Sequence, residues 1–184
     1  IQDNEEKMTT KPFHQKSSSA LLVIDVQKEQ FEASTPVYKA DQLLQNITLL
    51  ISKAREEGVP VFFVQHAADS YLKYGSDGWQ LHPQMQPIAG EVIIHKRHSN
   101  SFEDTNLQDE LSKRNVSSVV VTGLVTHGCV KATCLGALEE RYGVVLVGDA
   151  HSNFSKDAAR LIEKWNQQLG SKGVQVTDTR SVRY

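Results

Sequence analysis

Short runs of apolar, β-branched residues recur along the chain from residue 19 onward. Six of them stand out: SALLVIDV (19–26), VPVFFVQ (59–65), EVIIH (91–95), SSVVVTGL (117–124), GVVLVGDA (143–150) and GVQVTD (173–178). Each run is continuous and does not alternate with polar residues, which is typical of strands buried on both faces of a parallel sheet. The pattern therefore predicts six parallel strands.

Amphipathic segments separate these runs and predict helices at 41–57, 106–113, 128–141 and 156–169. The first of them has apolar residues three or four positions apart, begins with Asp41 as the expected N-cap and stops before Gly58. Strands that alternate with helices favour a three-layer α/β domain, with the helices as right-handed crossovers on both faces of the sheet.

Two segments depart from this alternation. Residues 1–18 are polar, have no apolar period and end in a serine run, so we expect a disordered N-terminal tail that precedes a single domain at 19–184. Residues 67–90 are rich in Tyr, Gly, Pro and His and show no period. Irregular segments of this length in compact domains are usually functional, so we expect a wall or lid of a pocket here.

The composition is that of an ordinary globular domain, with 39% hydrophobic and 23% charged residues. Twenty Lys and Arg residues stand against 22 Asp and Glu residues, so the formal net charge is -2. A net charge this close to zero does not predict the basic surface that generic binding to nucleic acid or to an anionic membrane requires. No apolar run approaches the roughly 18 residues of a membrane span. We therefore expect a small-molecule ligand and no nucleic-acid or membrane partner.

The two cysteines, Cys129 and Cys134, lie on different faces of one predicted helix, so a disulfide between them is not expected. The N-terminus also lacks the basic and apolar regions of a secretory signal. We expect a reducing, cytoplasmic location.

Three residues with complementary chemistry follow three different predicted strands. Asp25 ends the first run, Lys96 follows the third, and Cys129 comes after the fourth, at the predicted start of a helix. Ligands of parallel α/β sheets bind outside the carboxyl ends of the strands, so these side chains are expected to converge. The helix dipole and a nearby ammonium would lower the pKa of a thiol and make Cys129 substantially a thiolate near neutral pH.

These residue types supply what acyl transfer requires. Asp25 could accept the thiol proton and return it to a leaving group, and free backbone amides at the helix start could hold an oxyanion. Each residue taken alone also has an ordinary structural interpretation: a buried inert thiol, a turn-forming carboxylate, a solvated lysine. The signatures of serine hydrolases, P-loop proteins, dinucleotide-binding proteins and zinc sites are absent from the sequence, so we expect no metal and no cofactor.

Three segments resemble the isochorismatase-like cysteine hydrolases, a family that includes nicotinamidases, N-carbamoylsarcosine amidases and isochorismatases. They are LLVIDVQ (21–27), the stretch 78–111 and VVVTGLVTHGCVKATCLGALEERYGVVLVGDA (119–150). The resemblance extends over about residues 19–178. It implies a Rossmann-like fold with strand order 3-2-1-4-5-6 and a catalytic triad of Asp25, Lys96 and Cys129.

The same resemblance implies a cis peptide bond between Leu124 and Val125, with the amides of Val125 and Cys129 as an oxyanion hole. Nicotinamidases of the family carry an Asp-x-His metal motif after the second strand, whereas this chain reads Gln65-His66-Ala67-Ala68-Asp69. A metal-independent enzyme is therefore expected. The predicted substrate contacts are Gln27, Phe31, His66, Trp79 and Phe102.

The leading hypothesis is a metal-independent hydrolase of a C–N bond in a small amide or carbamoyl compound, acting through a thioester on Cys129. Vinyl-ether hydrolysis with Asp25 as proton donor, or a non-catalytic protein for thiol redox chemistry or ligand binding, remain as alternatives. Apolar and small residues occupy most of the circumference of the predicted helix 128–141, which favours a homodimer or higher homo-oligomer.

Overall fold

A computed structural model of the chain describes residues 18–184. The predicted disordered tail, Ser18 excepted, lies outside the described residues. The carbonyl of Ser18 accepts hydrogen bonds from the amides of Ser117 and Ser118, so the described part begins beside the sheet. None of the helices in residues 18–184 is long and apolar enough to cross a membrane.

The core of the fold is a six-stranded parallel sheet with the order β3-β2-β1-β4-β5-β6, which confirms the predicted Rossmann-like α/β architecture. The strands are β1 (Ser19–Ile24), β2 (Val61–His66), β3 (Val92–Lys96), β4 (Ser118–Leu124), β5 (Gly143–Ser152) and β6 (Gln175–Thr177). All of them begin and end within two residues of the predicted runs. Buried, β-branched strands suit a sheet that is covered on both faces.

Within residues 18–184, five α-helices accompany the sheet: α1 (Lys28–Glu32), α2 (Ala40–Glu56), α3 (Leu107–Lys113), α4 (Lys131–Glu139) and α5 (Ala158–Ser171). The predicted N-cap of α2 was wrong. Lys39 occupies that position in a left-handed conformation. Asp41 lies in the first turn, where its negative charge interacts favourably with the helix dipole. Helix α1 was not predicted, because five residues are too few to show a helical period.

The predicted helix 128–141 has a different form. It starts with a widened turn at Thr126–Val130, kinks at Gly128 and continues as α4, which ends at Glu139. The amides of Gly128 and Val130 both donate to the carbonyl of Val125, which closes this turn directly behind β4. Cys129 therefore sits inside the turn.

Two apolar layers cover the two faces of the sheet. Along β1, Leu22 and Ile24 face the layer that contains α3, α4 and part of α5, while Leu21 and Val23 face the layer that contains α2. This alternation follows from the two-residue period of a strand. Every residue of β1 is buried between these two layers.

The irregular segment 67–90 is attached along the edge of the fold. Gln27 and Leu81 form an antiparallel bridge, and the amide of Glu29 donates to the carbonyl of Gly78 at 3.0 Å. Backbone hydrogen bonds of this kind fix the segment as a wall over the strand ends.

Candidate active site

The structure brings Asp25, Lys96 and Cys129 together at the carboxyl ends of β1, β3 and β4. The ammonium Nζ of Lys96 lies 3.2 Å from Oδ2 of Asp25 and 3.2 Å from Sγ of Cys129. The side chains of Lys96 and Asp25 are 0% and 2% exposed, so this ion pair is shielded from solvent. The parallel arrangement of the strands, with their carboxyl ends at one edge, produces this convergence.

The backbone around Asp25 is held in an unusual conformation. Asp25 has a φ of 53°, in the left-handed region that Asp and Asn tolerate better than most residues. Its amide donates to the carbonyl of Val64 at 2.9 Å. On the neighbouring strand, Gly123 has a φ of 115°, and a Cβ atom there would lie 2.1 Å from the carbonyl oxygen of Ile24. Glycine at 123 thus allows β4 to approach β1 closely beside Asp25.

Burial dominates the protonation of the thiol. It raises the pKa of Cys129 to about 12, the nearby Asp25 carboxylate adds to the rise, and the Lys96 ammonium opposes it. The expected thiolate near neutral pH was therefore wrong. Removal from water disfavours the charged form more strongly than the helix start and the lysine favour it. At neutral pH Cys129 is a thiol.

The carboxyl group of Asp25 lies beside the Cys129 thiol. Burial raises its pKa, and the Lys96 ammonium acts in the opposite direction. One oxygen, Oδ2, accepts from Lys96, whereas Oδ1 is buried and has no partner among the described residues. A buried acceptor that lacks a donor is costly unless a nearby proton can reach it. The Cys129 thiol, whose Sγ lies within 4.8 Å of a carboxylate oxygen of Asp25, is a nearby source of such a proton.

The peptide bond between Leu124 and Val125 is cis, where the family resemblance implied one. It lies between the end of β4 and the turn that carries Cys129. The carbonyl of Val125 points into this turn and accepts from Gly128 at 3.0 Å and from Val130 at 3.2 Å.

A buried polar network, which was not predicted from the sequence, supports the turn that carries Cys129. The Thr126 hydroxyl lies 2.9 Å from Nδ1 of His151 and accepts from the Asn153 amide at 3.2 Å. Nε2 of His151 lies 2.8 Å from Oδ1 of Asn166. Because that oxygen accepts, Nε2 carries the proton and Nδ1 accepts from Thr126. The polar run His151-Ser152-Asn153 after an apolar strand was the available signal.

Gln27 has a structural position. It is 0% exposed, its Nε2 donates to the carbonyls of His66 and Trp79, and its Oε1 accepts from the amide of His66. Gln27 therefore has no exposed atom with which to make the predicted substrate contact. The residue joins the end of β2 to the segment 67–90.

The rings of Phe31 and Phe102 pack against other side chains. Phe31 lies 4.8 Å from the ring of His82, and Phe102 lies 5.7 Å from the ring of Tyr142, both measured between centroids. Each is only partly buried. Their contact with substrate stays a prediction.

Trp79 belongs to the wall segment and lies against the face of β3 that is opposite to the Lys96 side chain. Its ring centroid is 4.6 Å from that of Tyr74 and 5.0 Å from that of His95. His95 and Lys96 are neighbours on a strand, so their side chains leave opposite faces. A contact between Trp79 and the substrate stays a prediction.

Two further residues contact the ammonium, and a third packs on one of them. Nδ1 of His66 lies 2.9 Å from Nζ of Lys96, and the carbonyl of His98 accepts from the same ammonium at 3.0 Å. Tyr71 stacks on the ring of His66 with 6.1 Å between centroids. Burial raises the pKa of Tyr71, and the nearby Asp25 carboxylate adds to this effect. Tyr71 and His98 were not predicted, because irregular segments give no period from which to place a residue.

A cavity of about 440 Å³ opens beside Lys96. It is lined by Ala67, Tyr74, His95, Lys96, Arg97, His98 and Asp104. Aromatic and charged groups thus border the space next to the cluster, which suits a small polar ligand.

One group of three metal-ligating side chains occurs in residues 18–184. Donor atoms of Asp25, His66 and Cys129 lie within 4.8 Å of one another. The Lys96 ammonium, however, lies between 2.9 and 3.2 Å from an atom of each of them and fills the centre of the group. A cation already occupies the position that a metal ion would take, so these residues do not fit a metal centre while Lys96 is in place.

Comparison with known proteins gives the same assignment as the fold. A model of the Isochorismatase domain matches residues 19–181. The isochorismatase family protein YddQ of Bacillus subtilis is 33% identical over 138 residues, which cover 72% of this chain and 77% of YddQ. A streptothricin hydrolase of Streptomyces noursei is 34% identical over 142 residues, which cover 76% of this chain and 56% of that protein.

Solved structures agree with these matches. The crystal structure of an isochorismatase from Pseudomonas putida KT2440 aligns with a TM-score of 0.83 and 26% identity, and the alignment covers 90% of both chains. The matched region includes the whole sheet and the cluster at its edge. The chain therefore belongs to the isochorismatase family and is a hydrolase of that family.

Proposed function

We propose that this protein hydrolyses a C–N bond in a small amide or carbamoyl compound, without a metal ion, through a thioester on Cys129. The observation that carries the proposal is the position of the Lys96 ammonium, 3.2 Å from both the Asp25 carboxylate and the Cys129 sulfur. This geometry links a nucleophile, a proton acceptor and a fixed positive charge in one buried cluster.

Acylation begins from a neutral thiol. Sγ of Cys129 attacks the carbonyl carbon, and as the S–C bond forms the thiol proton passes to Asp25. The carboxyl group then gives this proton to the nitrogen of the leaving group while the C–N bond breaks. Ammonia or an amine departs and a thioester remains. Burial raises the pKa of Cys129, which favours proton transfer to Asp25 during the attack over ionisation of the thiol before it.

Deacylation uses the same groups in the reverse order. A water molecule attacks the thioester carbonyl and gives a proton to Asp25. The C–S bond breaks, the sulfur takes the proton back, and a carboxylic or carbamic acid leaves. Throughout both steps the Lys96 ammonium stabilises negative charge on Asp25 and on the sulfur.

The amides of Val125 and Cys129 form the proposed oxyanion hole. Val125 directly precedes the turn that follows β4 and Cys129 lies within it, and the Val125 carbonyl holds that turn closed through Gly128 and Val130. Rigid backbone donors of this kind stabilise the charge that develops on a carbonyl oxygen during attack.

The test is ammonia release from a panel of small primary amides and N-carbamoyl compounds, measured before and after dialysis against EDTA. We expect release from at least one compound, at a rate that chelation leaves unchanged. Activity that disappears on chelation and returns with added metal would contradict the metal-independent mechanism. No release from any compound would contradict amide hydrolysis.

Vinyl-ether hydrolysis is a second candidate, because burial raises the pKa of Asp25 and so favours a carboxyl group that can donate a proton. In that reaction Asp25 is essential and Cys129 is not. A redox role is less favoured, since oxidation requires the thiolate and the pKa of Cys129 is raised to about 12.

We further propose that the protein forms a homodimer or a larger homo-oligomer and that its ligand is a small molecule. Helix α5 covers part of α4, with Lys131 above the ring of Trp165 at 4.8 Å, but Leu135, Leu138 and Trp165 remain only partly buried. Apolar side chains left at a surface are commonly buried by a second copy. Light scattering at micromolar concentration should give at least twice the monomer mass of 20.5 kDa. A mass near the monomer would contradict this proposal.

A further inference from the structure

The ammonium of Lys96 has more hydrogen-bond acceptors than hydrogens. An ammonium carries three hydrogens. Four acceptors surround it: Oδ2 of Asp25, Nδ1 of His66, the carbonyl oxygen of His98 and Sγ of Cys129. The His66 contact is the shortest, at 2.9 Å. Two acceptors must therefore share one hydrogen.

The charge on the Cys129 sulfur determines which acceptor receives the shared hydrogen. A neutral thiol or thioester sulfur is a weak acceptor, whereas a carboxylate and a carbonyl oxygen are strong ones. Asp25 and His98 therefore keep their hydrogens, and the third hydrogen is shared between His66 and Cys129. While the sulfur is neutral, Nδ1 of His66 is the better acceptor. When the sulfur becomes negative, the sulfur is a better acceptor than Nδ1 of His66.

His66 is held firmly in the position that this exchange requires. The amide of His66 donates to Oε1 of Gln27 at 2.9 Å, and its carbonyl accepts from Nε2 of the same side chain at 3.0 Å. The Asp-x-Gln segment that follows β1 thus provides Asp25 directly and places His66 through Gln27. On the other side, Tyr71 stacks on the imidazole.

We propose that His66 is a positioning residue that accepts the third hydrogen of the Lys96 ammonium whenever the Cys129 sulfur is uncharged, and releases it when the sulfur becomes negative. The inference rests on the proposed role of Cys129 as nucleophile. His66 accepts this hydrogen in the resting enzyme and at the thioester stage. Without His66, the buried ammonium would have one hydrogen with no strong acceptor at these two stages.

The surroundings keep His66 in the neutral form that can accept. Burial lowers its pKa, Lys96 lowers it further, and Asp25 acts in the opposite direction. The other titratable groups that face the ring are His98, Tyr71 and Cys129. A neutral imidazole whose Nδ1 accepts must carry its proton on Nε2.

Alkylation of Cys129 by iodoacetamide tests this inference without a substrate. In His66→Leu the shared hydrogen belongs to the sulfur alone, which favours the thiolate. We expect Cys129 to be labelled about tenfold faster than in the wild type at each pH from 7 to 9, the effect of lowering the thiol pKa by about one unit.

His66→Asn is the matched control, because it keeps a polar group at the position of Nδ1 but leaves more empty space than leucine. Its labelling rate should stay within about threefold of the wild type. Cys134, which is 0% exposed, reports any general opening and should stay unlabelled in both variants. His82→Leu removes an imidazole outside the cluster and should have no effect.

Labelling of His66→Leu that is no faster than the wild type would overturn the proposal, as would equal acceleration in His66→Asn. If the variants fail to fold, ¹⁵N NMR of wild-type histidine decides: Nδ1 of His66 should be unprotonated at pH 7, and a proton there would overturn the proposal. Neither readout depends on amide turnover. Failure of this inference is therefore distinguishable from failure of the proposed function.

Discussion

Cys129→Ala is expected to lower the turnover of any accepted amide by at least about 10⁴-fold, because within residues 18–184 Cys129 is the thiol in contact with Lys96 and the other cysteine, Cys134, is buried in the core. The measurement is kcat/KM for ammonia release. Cys134→Ala is the matched control, since it removes the second thiol of the chain from the buried core and leaves the Asp25, Lys96 and Cys129 cluster intact.

The outcome separates two kinds of chemistry. Full activity in Cys129→Ala would contradict a thioester mechanism. If Asp25→Asn were inactive at the same time, vinyl-ether hydrolysis by proton donation would explain both results.

Asp25→Asn is expected to lower kcat by about 10²- to 10⁴-fold, the range found when a general acid or base is removed. The amide of asparagine cannot accept the thiol proton. Asparagine also tolerates the left-handed conformation that Asp25 adopts at a φ of 53°, so the backbone should not change. Single-turnover kinetics should show slower acylation, since that step requires the first proton transfer.

The substitution leaves Lys96 without its buried counter-ion, and an unpaired buried charge costs about 3 kcal/mol or more. The thermal unfolding of the Asp25→Asn variant must therefore be measured alongside its kinetics. Loss of kcat in a folded Asp25→Asn variant supports the role of the carboxylate, and activity equal to that of the wild type would contradict it.

The same carboxylate determines the expected acid limit of the wild-type enzyme. Burial raises the pKa of Asp25 above its ordinary value of 3.8, and the base must be ionised to accept a proton. Activity is therefore present above the raised pKa and is lost as the pH falls through it.

The architecture was predictable because its signals are local. Continuous apolar runs such as 19–26 and 59–65 are typical of strands covered on both faces, and their alternation with helices indicates the layers. The strand order came from the family resemblance. Helix α1 was missed because five residues carry no usable period, and the cap of α2 was missed because the Lys39 conformation depends on the connection before it.

The residues of the candidate site could be predicted from the sequence, but the protonation state of its thiol could not. Asp25, Lys96 and Cys129 each follow a strand, so their convergence depends only on the sheet. The direction in which the pKa of the Cys129 thiol shifts depends on how deeply the thiol is buried, which the local sequence pattern does not show. Burial raised this pKa more than the helix start lowered it. Gln27 lies next to the site in sequence, but its amide is fully engaged by His66 and Trp79.

The central claim is that hydrolysis passes through a covalent bond to Cys129. Rapid acid quench of the enzyme during turnover of an accepted amide, followed by intact-mass spectrometry and peptide mapping, tests it most directly. We predict a mass increase equal to the acyl group of the substrate, located on Cys129 and lost with hydroxylamine as a thioester should be. Turnover with no adduct at any time, or an adduct at another residue, would contradict the mechanism.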